Sequence, residues 1–423
     1  MLSAPQPRSR LYTTASAYAK GAMAALFSYD YAGDGTKQLE DALQDLFPWS
    51  RAIAVPMARV GIYLTLKQLI RKGQKVILSP YTICDVVNMV LCAGGIPLFA
   101  DIEKDGSFNI DAERIAELLE TNNDVGAVLV THFHGLICNI KPILAVCAKR
   151  GIPVVEDAAQ SFGAVLGREP AGSMAHAGIF SFGLLKNVTG FLGGAVITKD
   201  AELEKRIRHD LAEFRLIPRQ MLWRKMMSGA AFDIATFPPL FDTTVYWMFR
   251  YAYLRDLKFF NNKLDTDRNP VAYNCFPDQY AHRMSSAQAK IIRSQFARSQ
   301  KHAEERIAKA KIYDAGLRDL PELVLPPLRT DGSHIYLCYP LGCENRDRLA
   351  FSMTRRLRDV QVSHHRNCAS LPCFSAFYRE CPNAERAMRS VIYLPTYPGY
   401  KRDQVTANVE AIRAFFREAN SWT

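Results

Sequence analysis

Short runs of Val, Ile and Leu alternate with longer amphipathic segments between about residues 51 and 200. The runs Lys75–Pro80, Ile96–Asp101, Gly126–Thr131 and Ile152–Asp157 have the length of buried strands, and helical patterns separate them. Strands that are apolar on both faces are typical of a parallel sheet covered by helices. The pattern predicts an α/β fold in which ligands bind beyond the carboxyl ends of the strands.

The residue composition of the sequence changes after residue 200. A charged helical pattern is followed by a Met-rich and aromatic stretch from Met221 to Tyr253. Two aspartates and two prolines interrupt this stretch, which argues against a membrane-spanning helix. Two interpretations remain open. The stretch is either a buried insertion or subunit interface, or a segment at a membrane surface whose basic residues meet anionic lipid. Those basic residues are Arg219, Arg224, Lys225 and Arg250.

The domain organisation follows from these patterns. We expect an N-terminal segment at 1–50 and a large α/β domain at 51–284, which contains an aromatic-rich insertion at about 215–275. The remaining residues, 285–423, begin with one long helix and continue into a smaller α+β domain. A chain of 423 residues is long enough for two such domains.

Charge and cysteine content narrow the partners and the compartment. The chain has 53 Lys and Arg against 42 Asp and Glu, a formal net charge of +11, which favours an anionic partner such as nucleic acid, a membrane surface or a phosphorylated molecule. No nucleic acid is expected, because the basic residues are dispersed and form no recognised DNA-binding motif. Ten cysteines without a CxxC pair, after a start that lacks the apolar stretch of a secretory signal, predict a cytoplasmic protein.

The strand that ends on Glu156 and Asp157 carries the first chemical signal. Asp157 is expected at the carboxyl end of a parallel strand, where the binding sites of such sheets lie. A carboxylate held there in apolar surroundings needs a cationic or hydrogen-bonded partner, and a protonated pyridine nitrogen would serve. A metal ligand or a helix cap would explain an acid at a strand end equally well.

Lys186 carries the second signal. It lies between an apolar strand and a turn rich in glycine, which is an unusual place for a solvated lysine. Partial withdrawal from water favours the amine form, which is a nucleophile for aldehydes. Ser181, five positions earlier, has small neighbours that leave room for a phosphate.

Histidines and cysteines are candidate metal ligands in this sequence. The spacing of His132 and His134 predicts two imidazoles on one face of a strand end, and the pair His364–His365 precedes three cysteines, Cys368, Cys373 and Cys381. A metal site needs ligands that converge with suitable spacing, and this spacing is loose. No metal is expected.

Several separated motifs together resemble one known family. The motifs are EDAAQSFGA, GSMAHAGIFSFGLLKN and LGGAVITKD, with SPYTICDVVNMVLCAGGIPLFADIEKDGSFNID upstream and RMSSAQAKI and YLPTYPGYKRDQV downstream. They resemble the DegT-type (DegT/DnrJ/StrS) sugar aminotransferases, which depend on pyridoxal phosphate and have the aspartate-aminotransferase-like fold type I. The resemblance implies a mainly parallel, seven-stranded sheet between helices and a smaller C-terminal α+β domain.

The resemblance also implies roles for individual residues. Lys186 matches the lysine that forms a Schiff base with the cofactor, and Asp157 matches the acid at the pyridine nitrogen. Gln160 matches the residue near the ring's phenolic oxygen, and Ser181 a phosphate-binding hydroxyl. The helix that begins near Ala58 and Arg59 matches the phosphate-binding turn, where helix amides favour an anion.

Three positions depart from the family pattern. The phosphate turn is usually Gly-Thr, and here it is Ala58-Arg59, although an arginine can also bind phosphate. The aromatic residue that stacks on the cofactor ring aligns with Ile83, which leaves either Tyr81 as a neighbouring substitute or an apolar side chain in its place. An asparagine that the family donates from the partner subunit aligns with Ala281.

Substrate and partners are likewise implied by the resemblance. The family transfers an amino group from glutamate or glutamine to a keto-sugar nucleotide, for polysaccharide or glycoconjugate synthesis, and its members form homodimers. Retention of Lys186 favours transamination over the dehydration performed by members that carry histidine there. The candidate substrate contacts are His364, His365, Arg283 and Asn187. The alternative is a noncatalytic or membrane-associated regulatory protein that retains the fold, with peripheral contact through residues 221–253.

Overall fold

The structure is a computed structural model that describes residues 4–11, 13–27, 31–255 and 270–420. Its strands are β1 (Arg51–Val55), β2 (Lys75–Leu78), β3 (Tyr81–Thr82), β4 (Ile96–Phe99), β5 (Val125–Thr131), β6 (Val154–Asp157), β7 (Val165–Leu166), β8 (Glu169–Pro170), β9 (Ala177–Ser181), β10 (Gly194–Thr198), β11 (Arg215–Leu216), β12 (His282–Arg283), β13 (Leu323–Val324), β14 (Tyr339–Cys343), β15 (Gln361–Val362), β16 (Arg366–Asn367) and β17 (Val391–Leu394).

The helices separate these strands along the chain. They are α1 (Ala15–Phe27), α2 (Gly35–Leu46), α3 (Ala58–Leu69), α4 (Cys84–Cys92), α5 (Ala112–Thr121), α6 (Ile140–Ala148), α7 (Ala201–Ala212), α8 (Arg219–Ala235), α9 (Pro238–Leu240), α10 (Tyr246–Leu254), α11 (Ser286–Arg293), α12 (Phe296–Leu317), α13 (Arg346–Arg355), α14 (Pro382–Ser390) and α15 (Arg402–Asn420).

The largest sheet confirms the predicted α/β class. Its seven strands lie in the order β1, β10, β9, β6, β5, β2, β4. The five strands from β9 to β4 run parallel to one another, and β10 and β1 continue the sheet in antiparallel pairing. The carboxyl ends of the parallel strands therefore meet at one edge, and this edge carries Asp157.

Both faces of this sheet are covered by helices because its strands are apolar on both sides. Every residue of β5 is buried. Ala127 and Leu129 pack into a core with helices α3, α4 and α7, whereas Val128 and Val130 face a second core with α2, α5 and α6. The alternation of side chains along a strand produces this division.

The C-terminal residues form the smaller α+β domain that the family resemblance implied. Strands β13, β14, β17 and β15 make an antiparallel sheet. Helices α12, α13 and α15 cover it, and Tyr313, Leu341 and Ile412 lie in their shared core. A two-residue pairing of β16 with β3 joins this part to the large sheet's side of the molecule.

The single long helix expected from Ser285 onward is wrong, because the chain breaks between α11 and α12. At the break, the side chain of Gln295 accepts a hydrogen bond from the Thr189 amide (3.2 Å) and donates one to the Thr189 carbonyl (2.5 Å). These bonds tie the break to the loop that follows Lys186. The two helices can therefore take different directions while the loop is held.

The aromatic insertion packs against the first helix and against the C-terminal domain. Tyr18 of α1 donates a hydrogen bond to Asp233 of α8 (2.6 Å), and Tyr246 of α10 donates one to the carbonyl of Thr354 at the end of α13 (2.9 Å). Residues 256–269 of the predicted insertion lie outside the described residues. Among the described helices, none has both the length and the apolar composition needed to cross a membrane.

Candidate active site

Asp157 is the last residue of β6, and its side chain is buried at the carboxyl end of the sheet. One carboxylate oxygen accepts a hydrogen bond from the amide of Ala159 at 3.1 Å. Burial raises the pKa of Asp157, while the Ala159 amide and the positive charge of Lys186 act in the opposite direction. The carboxylate is therefore in an environment that favours a cationic partner.

Lys186 lies in the turn after β9 and is half-buried. The residue before it, Leu185, has a positive φ of 63°, a conformation that non-glycine residues rarely adopt. Burial lowers the pKa of the Lys186 side chain, and the charges of Asp157 and Cys338 oppose this shift. The structure thus brings the predicted lysine and aspartate within range of an electrostatic interaction, and burial makes the lysine easier to deprotonate than a solvated one.

Gln160 lies two residues beyond Ala158 at the same sheet edge. Its Oε1 accepts a hydrogen bond from the amide of His134 (2.8 Å), and its Nε2 lies 3.5 Å from Nε2 of His365. His134 and His365 are both buried, and burial lowers the pKa of each, with Lys186 among the charges that add to the shift. Lys186 therefore has two buried, uncharged imidazoles, those of His134 and His365, in its electrostatic surroundings.

Ser181 and the start of α3 are candidates for binding a phosphate. Ser181 ends β9 and is half-buried, and its Oγ accepts a long hydrogen bond, 3.4 Å, from the amide of Gly183. Helix α3 begins at Ala58 after Met57, whose side chain caps none of the first-turn amides. An uncapped helix N-terminus favours an anion.

Arg59 already has two side-chain partners in the structure, Asp85 and Tyr280. Its guanidinium forms an ion pair with Asp85 of α4 and donates a hydrogen bond to the Tyr280 hydroxyl at 2.8 Å. The same guanidinium lies over the Tyr280 ring, 5.0 Å from its centroid. The three residues form a partly exposed cluster at the N-termini of two helices.

The two candidates for a ring-stacking residue differ in their surroundings. Tyr81 is fully buried, and its ring contacts those of Phe108, Phe133 and His365. Ile83 is half-buried at the start of α4. Tyr81 therefore has the surroundings of a core residue, and Ile83 is the more open of the two.

The four candidate substrate contacts do not lie together. His364 and His365 stack on each other with ring centroids 4.4 Å apart, beside Gln160. Asn187 is buried and donates to the carbonyl of Phe162 (3.0 Å), while its Oδ1 has no partner among the described residues. Arg283 is exposed in β12, which pairs with β11, and no contact within the described chain joins it to Lys186.

Glu156, beside Asp157, belongs to a different site. Its carboxylate accepts hydrogen bonds from the amides of Gly172, Met174 and Ala175 at 2.7–2.8 Å and lies 2.9 Å from Nε2 of His132. The two-residue period of a strand places Glu156 and Asp157 on opposite faces, and this signal was available in the sequence.

The expectation that His132 and His134 share one face is wrong. His132 bonds Glu156, whereas His134 lies 3.5 Å from the Cys338 sulfur on the other side. The described part of the chain holds no group of three or more His, Cys, Asp or Glu suited to a metal ion. All ten cysteines are free thiols.

The donor set fits pyridoxal phosphate. Each part of the cofactor has a group that suits it in charge and hydrogen bonding. The buried carboxylate of Asp157 suits the ring nitrogen, Lys186 with its lowered pKa suits the aldehyde, the Gln160 amide suits the phenolic oxygen, and the uncapped N-terminus of α3 suits the phosphate. Nε2 of the buried His134 also has no partner among the described residues, so a polar group can still be accommodated there. Arg59 adds a positive charge near the start of α3.

Comparisons with known proteins identify the family of the chain. The model of the DegT/DnrJ/EryC1/StrS aminotransferase family matches residues 21–231 and 267–413. The spore coat polysaccharide biosynthesis protein SpsC of Bacillus subtilis is 25% identical over 402 residues, which are 92% of this chain and 91% of SpsC. A Campylobacter jejuni UDP-4-amino-4,6-dideoxy-N-acetyl-beta-L-altrosamine transaminase is 32% identical over 192 residues, 45% of this chain and 50% of that protein.

Solved structures share the fold. The Escherichia coli GDP-4-keto-6-deoxy-D-mannose-3-dehydratase with bound hydrated pyridoxal phosphate superimposes with a TM-score of 0.73 at 16% identity, over 97% of this chain and 99% of that one. The family model covers most of the chain, and its unmatched gap falls inside the aromatic insertion. The chain therefore belongs to the DegT/DnrJ/EryC1/StrS family and is a pyridoxal-phosphate-dependent aminotransferase.

Proposed function

We propose that this aminotransferase moves the amino group of glutamate or glutamine to a keto-sugar nucleotide during synthesis of a polysaccharide or another glycoconjugate. The observation that carries the proposal is the pairing of Lys186 with Asp157 at the carboxyl edge of the sheet. The sugar-related names of SpsC and of the Campylobacter transaminase support the substrate class. Family membership favours an enzyme over the noncatalytic alternative.

When bound, pyridoxal phosphate supplies an electron-accepting ring and an aldehyde that holds the amino group between the two substrates. Asp157 would keep a positive charge on the ring nitrogen, because its buried carboxylate is stabilised by a cation. Lys186 would hold the cofactor and, as a free amine, accept and return a proton. Ser181 and the first turn of α3 at Ala58 and Arg59 would bind the phosphate.

The substrate would approach past the side chains of His364 and His365. His364 and His365 lie next to Gln160, and the partnerless Oδ1 of Asn187 can accept a hydrogen bond. The net charge of +11 would attract a diphosphate-bearing sugar toward the protein. Tyr81 would act from the core, by holding the small C-terminal domain, and Ile83 would face the ring.

A homodimer is part of the proposal, because family active sites lie at the subunit interface. Arg283 is exposed and follows Ala281, the position at which the family's donated asparagine aligns. We expect Arg283 to act in the partner's site. Mixing inactive Lys186→Ala subunits with Arg283→Ala subunits should restore part of the activity if each site takes residues from both chains, and no restoration would contradict the shared site.

The aromatic insertion is proposed to touch a membrane surface. Its helices expose apolar side chains at helical spacing, with Arg224 and Lys225 nearby. Within residues 221–253, the large exposed apolar residues are Met227, Ile234, Phe237, Leu240, Trp247, Met248, Tyr251 and Tyr253. Flotation with vesicles that contain anionic lipid should carry the protein upward, and neutral vesicles should not. A protein that stays at the bottom with both would contradict membrane contact.

The substrate is tested on the half-reaction. The protein is converted to its pyridoxamine form with glutamate, separated from donor, and mixed with a panel of keto-sugar nucleotides. We expect at least one keto-sugar nucleotide to restore the aldehyde spectrum of the cofactor, in addition to any simple keto acid that does so. If only keto acids restore the spectrum, the sugar-nucleotide proposal fails.

A further inference from the structure

A chain of buried hydrogen bonds runs from the core to Gln160. The hydroxyls of Tyr81 and Ser363 lie 2.7 Å apart, those of Ser363 and Tyr393 also 2.7 Å apart, and the Tyr393 hydroxyl lies 2.6 Å from Nδ1 of His365. Nε2 of His365 then lies 3.5 Å from Nε2 of Gln160. Tyr81, Tyr393 and His365 are all buried.

The orientation of the Gln160 amide sets the direction of this chain. Its oxygen accepts the backbone N–H of His134 at 2.8 Å, so its nitrogen faces His365. An amide nitrogen only donates, and Nε2 of His365 must therefore accept. The imidazole proton then lies on Nδ1 and is donated to the Tyr393 hydroxyl, which in turn donates to Ser363 or Tyr81.

The surroundings keep His365 neutral. Burial lowers the pKa of His365, and the neighbouring His364, His134 and Lys186 lower it further. A charged imidazole would carry a proton on Nε2 and point it at the donating amide of Gln160. The neutral ring with the proton on Nδ1 is thus the one form that satisfies both neighbours.

We propose that His365 is a positioning residue. Its Nε2 accepts a hydrogen bond from the Gln160 amide and so holds that amide in place, while the Tyr393 hydroxyl accepts from Nδ1 and fixes the tautomer of His365. One N–H of the Gln160 amide is used by His365, and the other stays free for the bound cofactor. This inference rests on the proposed function, in which Gln160 serves the phenolic oxygen of the ring. Tyr393 and Ser363 belong to the C-terminal domain and Gln160 to the large one.

The same contacts join the two domains at the site. Tyr81 pairs with Asn367 across the short β3–β16 ladder, and the amide of Cys368 donates to the carbonyl of Pro80 at 2.8 Å. A movement of the C-terminal domain would therefore displace Gln160 through this chain of hydrogen bonds. A shift of Tyr393 would release His365 and with it the amide.

The tautomer can be measured without the cofactor. Proton–nitrogen NMR correlation spectra of the protein with ¹⁵N-labelled histidine, assigned with the His365→Gln variant, distinguish Nδ1–H from Nε2–H and from the charged ring. We expect a neutral His365 with the proton on Nδ1. A proton on Nε2, or a charged ring at neutral pH, would overturn the proposal even if the enzyme is active.

Variants then test the effect on the site. Tyr393→Phe should shift the apparent pKa of the bound cofactor's visible absorption and lower kcat more than it changes KM for the sugar substrate. His365→Leu should do the same, and His365→Gln, which keeps an acceptor, should recover part of the loss. Tyr339→Phe is the matched control, because the buried Tyr339 hydroxyl has no partner among the described residues.

An unchanged cofactor pKa in Tyr393→Phe and His365→Leu, with folding intact by circular dichroism, would overturn the positioning role. An equal shift in Tyr339→Phe would also overturn it, since that variant leaves the chain of hydrogen bonds untouched. Failure of the sugar substrate to react leaves the tautomer and absorption measurements valid. The two proposals therefore fail separately.

Discussion

Nε2 of His132 lies 2.9 Å from Oε2 of Glu156, and both side chains are fully buried behind the strand end that carries Asp157. Nδ1 of His132 accepts the amide of Cys138 at 3.2 Å, so Nε2 carries the proton and donates it to Glu156. Three backbone amides complete the carboxylate's hydrogen bonds. This network holds the loop 172–175 against β6 and supports Asp157 from the opposite face.

Replacing Glu156 by glutamine should destabilise the protein. The glutamine side chain keeps the size of glutamate but turns an N–H toward donors, and leaving a buried donor without its acceptor costs about 1–3 kcal/mol. The free energy of unfolding, measured by chemical denaturation, is expected to fall by that amount. The control variant Glu120→Gln, at an exposed position, should change the free energy of unfolding by less than about 0.5 kcal/mol. Equal effects of the two variants would contradict a structural role for Glu156.

Arg59 should contribute to binding the cofactor's phosphate. Loss of charge-assisted hydrogen bonds of about 1.5–3 kcal/mol raises a dissociation constant roughly 10- to 100-fold. Fluorescence titration should show this loss for pyridoxal phosphate with Arg59→Ala, and little change for pyridoxal, which lacks the phosphate.

Two controls bracket the Arg59 result. Asp85→Asn releases the guanidinium of Arg59 from its ion pair and should not weaken binding. Arg114→Ala removes an exposed arginine that pairs with Glu117 on the same helix. If Arg59→Ala binds pyridoxal phosphate as tightly as the Arg114→Ala control, then the helix amides and Ser181 bind the phosphate without the arginine.

Lys309 should make stability depend on pH. Burial lowers its pKa from 10.5 to about 8, although it donates to the carbonyl of Tyr397 at 2.8 Å. Between these values the unfolded chain binds the proton more tightly, so stability rises with pH and the cost of the buried charge disappears. The unfolding free energy of the wild type minus that of Lys309→Met should increase by about 3 kcal/mol from pH 8 to 10.5. A difference that stays flat or falls would contradict the buried charge.

Gly178 in β9 should not tolerate a side chain. A Cβ there would overlap the backbone carbonyl of Gly172, in the loop whose amide binds Glu156. Gly178→Ala is expected to cost more than about 2 kcal/mol of unfolding free energy. Gly151→Ala, at a positive φ with open space around it, should cost only about 1 kcal/mol. A milder effect at Gly178 than at Gly151 would show that β9 can move away from the loop.

The sheet and the Lys186–Asp157 pair could be predicted because both depend on local pattern. Runs of Val, Ile and Leu mark buried strands, and a charged residue at the end of such a run stands out in a sequence. In the structure an electrostatic interaction links Asp157 and Lys186, and their roles toward the cofactor stay predictions. The separation of Glu156 from Asp157 also follows from strand period, which places adjacent side chains on opposite faces.

Other features depend on contacts far apart in the chain. The break before α12 arises because Gln295 bonds the backbone of Thr189, 106 positions away. The engagement of Arg59 by Tyr280 and the link from Tyr393 to Gln160 through His365 join residues that no local pattern relates. Such pairings become visible only once the tertiary structure brings the segments together.

The most direct measurement is the identity of the lysine that holds the cofactor. The protein loaded with pyridoxal phosphate is reduced with borohydride and digested, and the pyridoxyl group is located by mass spectrometry. We expect it on Lys186, with the buried Lys309 unmodified, and Lys186→Ala should lose both the label and the visible absorption. A label on another lysine, or an unchanged spectrum in Lys186→Ala, would contradict the assignment of the active site.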